Sequence, residues 1–139
     1  MLENLVIKTR RYIETNFTKL DLPFVNKFPN SCCEIVSLLL GKIIIDEFPM
    51  KDVVFVKGTN TSRYEMHFWI EVGDLVFDIT ADQFENINSF VIGELPEVLI
   101  KRFDDLEKTE IIKALKINDL ANNHSSVLEQ ISIEIRRQP

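Results

Sequence analysis

The chain has little cysteine, little glycine and no long apolar run, and each shortage removes a class of protein. Only two cysteines occur, adjacent at Cys32 and Cys33, which excludes a secreted disulfide framework. Neighbouring cysteines rarely bridge one another, because the geometry is strained. Both are expected as free thiols in a reducing compartment, and the expected location is the cytoplasm. Four glycines in all, none in a phosphate-cradling loop, leave no cofactor expected. The longest apolar stretch, Ile35 to Ile45, is broken by Ser37, Gly41 and Lys42, too short and too polar to span a membrane. The opening MLENLVIKTRRYIETNF interleaves acid and base with apolar residues and lacks the plan of a signal peptide. Positive charge is short as well. A net charge of −6 argues against nucleic-acid backbone binding, and Lys8, Arg10 and Arg11 read as a solvated helix face.

What remains is globular. The 139 residues are 45% hydrophobic and 27% charged, enough for one domain over 1–139 with its own core. Apolar residues recur at helical spacing over 2–18, which predicts a first amphipathic helix. DLPFVNKFPNS reads as an irregular connection, followed by a helix from Cys32 to about Asp46 that is apolar almost all round. From Pro49 the period changes. Val53 to Val56 predicts a short strand ending in a turn-prone stretch, Lys57 to Thr61. Tyr64–Val72 and Leu75–Ile79 predict a hairpin turning at Gly73-Asp74. Val91-Ile92 is a further short strand, and 95–103, 106–117 and 127–135 carry helical patterns around a polar break at 118–126. The order predicts an α+β fold, a central helix on an antiparallel sheet.

Two short segments carry the candidate chemistry. In FPNSCCEIVSLLLG, Ser31 and Glu34 fit the S-x-x-E capping box, placing both cysteines in a first helical turn. Free N–H groups and the dipole favour an anion there, the condition a nucleophilic thiol needs. Cys32 shares a wholly apolar stripe with Val36 and Leu39, whereas Cys33 shares one with Ser37, so Cys33 is the preferred nucleophile and Cys32 its buried neighbour. In HFWIEVGDLVFDIT, His67 and Asp78 lie on the two hairpin strands. With Gly73-Asp74 as the turn they are diagonal; with Val72-Gly73 they are directly opposed. Either register puts them on one face, where a carboxylate can orient an imidazole. His124 sits in a polar segment and is set aside. Each residue also has a plain structural role: buried small hydrophobes for the cysteines, locally satisfied strand residues for His67 and Asp78. A zinc site from Cys32, Cys33, His67 and Asp78 is disfavoured, because vicinal cysteines do not match usual ligand spacing.

The order of a cysteine on a helix, a histidine on a following strand and an aspartate on the next resembles the papain-like superfamily, and within it the transglutaminase-like branch. The pattern of His67, an aromatic two residues on, a Gly turn and Asp78 is similar to that branch. Cys33 with Ser37 is similar to the Cys-x-x-x-Ser start of papain-like nucleophile helices. The match covers 28–84. The resemblance implies Cys33 as nucleophile, His67 as general base and Asp78 as its orienter. It also implies a thiol-dependent hydrolase or acyltransferase, acting on a protein, a peptide or a small acyl or amide compound. No glutamine lies shortly before the cysteines, so Asn30 or the nucleophile's backbone N–H is expected as oxyanion donor. Gln83 is expected to cap its turn. The alternative is a non-catalytic binding module, of immunity or adaptor type, that keeps the same fold.

Overall fold

The computed structural model describes residues 1–139. Helix α1 spans Leu2–Asn16 and α2 spans Cys33–Glu47, joined by a connection containing one short 3-10 turn at Val25–Lys27. Strands β1 (Val53–Asn60), β2 (Glu65–Val72) and β3 (Leu75–Asp78) follow, then a 3-10 turn at Ala81–Gln83 and the short β4 (Val91–Gly93). Helix α3 (Glu97–Arg102), strand β5 (Asp105–Glu110) and helices α4 (Ile111–Ile117), α5 (Asp119–Asn123) and α6 (Ser125–Arg137) complete the chain. The sheet has the order β4-β3-β2-β1-β5, every neighbouring pair antiparallel. The fold is α+β.

Period-two alternation divides the sheet into two faces. Phe55, Phe68, Ile70, Val72 and Phe77 join the main core with the buried residues of α2, α1, α4 and α6. Helix α2 is buried nearly all round because it packs on the sheet and on other helices, α6 and α4 among them. The opposite face has a smaller core: Val56, Trp69, Leu95, Leu99 and Phe103. His67 and Asp78 belong to this second face by alternation with Phe68 and Phe77.

Three expectations are corrected. The turn-prone stretch 57–61 is strand as far as Asn60, with Gly58 paired to His67. The reason is lateral space: a Cβ on Gly58 would sit 2.7 Å from the Trp69 ring and 3.1 Å from Phe103 Cβ. The expected helix from Leu106 divides instead, its first part becoming β5 beside β1. Edge pairing outweighs the helical pattern there, and exposed Asp105, Glu107, Lys108 and Glu110 suit an open edge. The polar break at 118–126 holds α5 and the start of α6, with the Asn118 side chain capping α5. The hairpin turns at Gly73-Asp74, with Gly73 at φ +59°, which fixes the diagonal register of His67 and Asp78.

Candidate functional site

The site forms where β3 parts from β2. Continuing the register would set Thr80 opposite His67, but β3 ends at Asp78 and the chain turns into the 3-10 turn at Ala81–Gln83. The start of α2 lies against β2 at this opening, anchored by the Ser37 hydroxyl, which donates to the Phe68 carbonyl at 3.0 Å. Ser37 is thus buried structure and does not border a cleft.

Asp78 and His67 are each 1% exposed and joined by a 2.6 Å hydrogen bond from the ring Nε2 to the carboxylate Oδ2. The other carboxylate oxygen accepts from the Thr80 backbone N–H at 3.2 Å and lies 3.4 Å from its hydroxyl. Both oxygens are therefore engaged, which holds the carboxylate in one orientation. Phe84 meets the imidazole edge-on with centroids 4.7 Å apart, and Phe103 stacks on it at 5.7 Å. Trp69 lies at 5.8 Å.

Burial alone would lower the His67 pKa. The charge and hydrogen bond of Asp78 oppose this, Cys33 adds to them through a hydrogen bond and its charge, and the result is a ring raised to about 9. Cys33 is thus a near neighbour of the imidazole, whose Nε2 is held by Asp78. Nδ1 also has the Gln83 amide nitrogen at 3.4 Å, and that amide lies 3.3 Å from the Thr80 hydroxyl. Gln83 thus lines the site; its side chain meets the imidazole and a hydroxyl, and the expected cap of the turn is not formed.

The two cysteines differ sharply. Cys32 is 2% exposed and joins the main core; burial first, then the neighbouring Cys33, pushes its thiol up to about 12. Cys33 is half-buried and is the first residue of the fifteen-residue α2, where free N–H groups and the dipole favour negative charge on its sulfur. The expected cap is corrected: Cys32, not Ser31, holds the N-cap position, and Ser31 has a left-handed backbone at φ 63°. Glu34 makes no capping box, because its carboxylate accepts from the Asn118 side chain at 3.0 Å. That bond turns its charge toward α4 and α5. Asn30 is exposed. His124 Nδ1–H donates to the Leu120 carbonyl, 2.9 Å away, as part of the α5–α6 junction.

Arg10 overturns the expectation of a solvated basic face. It is 7% exposed and donates two parallel bonds of 2.7 Å to the Asp82 carboxylate and one of 2.6 Å to the Ile79 carbonyl. Its guanidinium lies 4.8 Å from the Phe28 ring centroid and 5.0 Å from that of Phe90. It therefore ties α1 to the segment that follows Asp78 and carries Gln83, and to the connection that precedes the cysteines. A bidentate clamp of this kind needs arginine's planar fork.

No three His, Cys, Asp or Glu side chains are grouped to hold a metal ion. No helix is long and apolar enough to cross a membrane. No family model matches the chain, and neither a curated protein nor a solved structure shows significant similarity to it.

Proposed function

We propose that the protein is a thiol-dependent hydrolase or acyltransferase with Cys33, His67 and Asp78 as its reacting group, resembling papain-like and transglutaminase-like enzymes. One observation carries the reading: a buried carboxylate holds the Nε2 of a buried imidazole, and a cysteine at a helix N-terminus is its near neighbour. Asp78 favours the tautomer with a proton on Nε2 and stabilises the imidazolium, leaving Nδ1 to exchange a proton with Cys33. A ring raised to about 9 supports an imidazolium at neutral pH, ready to give its proton to a leaving group.

In this reading the thiolate attacks a carbonyl carbon of an amide or acyl substrate. The oxyanion that forms is met by the free backbone N–H groups of the first turn of α2. Collapse expels the amine or alcohol, which takes the proton from His67, and leaves a thioester on Cys33. Water or an amine then attacks the thioester while His67 takes its proton, and the thiolate is restored. Cys32, protonated and buried, plays no part in transfer. Arg10 and Gln83 position the segment on which the imidazole rests.

A second reading, a non-catalytic module that keeps the His67–Asp78 pair as a structural bond, is favoured by the near-complete burial of both side chains. A labelled acyloxymethyl ketone, which alkylates an activated cysteine irreversibly, separates the two. The enzyme reading expects one label, at Cys33 by peptide mapping, lost in a folded His67→Gln variant. Absence of label on the folded wild type supports the binding module.

A further inference from the structure

On the His67 face of the sheet, but lined by neither His67 nor Cys33, lies an open cavity of about 700 Å³. That volume is in the range of small-molecule sites. Nine of its thirteen lining residues are hydrophobic, with Trp69 and Phe103 as its aromatic wall. Three of those hydrophobes are large and exposed: Leu75 at 37%, Leu106 at 48% and Ile100 at 56%. The charged side chains of the lining have one sign. They are Glu71, Asp74 and Glu94, and no lysine, arginine or histidine is among the lining residues. Glu71 is already committed, accepting from the Trp69 indole at 3.1 Å and from Lys108 at 2.9 Å. Asp74 and Glu94 are exposed at the same cavity, on the β2–β3 turn and just after β4.

We infer that this cavity binds a small organic cation with an apolar body, a tail against the aliphatic and aromatic wall and an ammonium head toward Asp74 and Glu94. Apolar area supplies the affinity, since the aliphatic walls are exposed to water when the site is empty. Charge supplies the selection: Lys108 is taken by Glu71, so an anion of the same shape is repelled by Asp74 and Glu94, and a neutral analogue gains nothing from them. The proposal is independent of the thiol chemistry.

The chain has a single tryptophan, and it lines this cavity, so its fluorescence reports occupancy directly. Octyltrimethylammonium, octanol and octanoate, matched in tail and different in head, are titrated against the full chain below their micellar concentrations. The expected order is cation, then alcohol, then anion, with the cation about fivefold tighter than the alcohol, the range for exposed ion pairs. Methyl shifts in a two-dimensional NMR spectrum are expected at Leu75, Ile100 and Leu106. The double substitution Asp74→Asn with Glu94→Gln changes only exposed side chains and should bring the cation to the alcohol's affinity. Equal or weaker binding of the cation, no saturable change, or shifts confined to other methyl groups would each overturn the proposal.

Discussion

His67 is buried among aromatic rings yet holds its charge, because Asp78 is buried with it. Both oxygens of that carboxylate are engaged, and the ring remains protonated well above the ordinary range, to about 9. Two outcomes follow. An NMR titration of the imidazole should give a midpoint near 9 in the wild type, whereas in Asp78→Asn, with the main term opposing burial removed, it should fall well below 9. Stability should respond in the matching direction. A folded pKa raised above the unfolded one contributes stability that is full below about pH 6.5 and lost as pH rises through about 9. Cys32, raised to about 12 by burial, extends the same loss further into alkali. Urea midpoints measured from mildly acidic to alkaline pH should therefore decline across this window; a flat profile would mean that the pair is not charged in the folded state. The shared face of His67 and Asp78 is legible in the sequence, because a period of two and a Gly-Asp turn fix it whichever register is chosen. The sequence does not show what encloses the pair: Phe84 and Phe103 reach the ring from a loop and from beyond α3, contacts that no local pattern encodes.

At the scale of elements, the site depends on segments held apart in sequence and joined by a few side chains. Arg10 is the plainest case. Besides Glu14, one helical turn on, its carboxylate partner Asp82 is seventy-two residues away, so the sequence shows only an i,i+4 ion pair on an amphipathic helix. Removing it in Arg10→Met should cost on the order of 3 kcal/mol, since Asp82 and the Ile79 carbonyl lose their donors together. A double-mutant cycle with Asp82→Asn, followed by urea denaturation, should return a coupling of about 1–3 kcal/mol. Additive effects would mean that the clamp carries nothing. Gly58 sets a second constraint. It lets β1 run straight past Trp69 and Phe103, and a Gly58→Ala change should destabilise the fold by about 1–3 kcal/mol through overpacking, read as a lowered thermal midpoint. The sequence marks that stretch as a turn because glycine, threonine and asparagine favour turns locally; pairing to β2 and β5 on both sides outweighs the preference. Strand β5 escapes for the same reason, as its residues apart from Leu106 are polar and only its neighbour makes it a strand.

For the molecule as a whole, the sheet separates two environments. One face, covered by helices, supplies rigidity and positions the start of α2; the other, thinly covered, holds the His67–Asp78 pair and an acid-lined cavity beside it. Cys33 comes from the helix-covered side of the sheet and His67 from the other, at the end where β3 leaves β2. The account's central claim is that their proximity activates one cysteine of two. Alkylation by iodoacetamide at mildly acidic pH, with rates read by peptide mapping, tests it most directly. Cys33 should be modified well ahead of Cys32, and Asp78→Asn should slow Cys33 while the protein stays folded. Equal sluggishness of both thiols, or faster modification of Cys32, would contradict it.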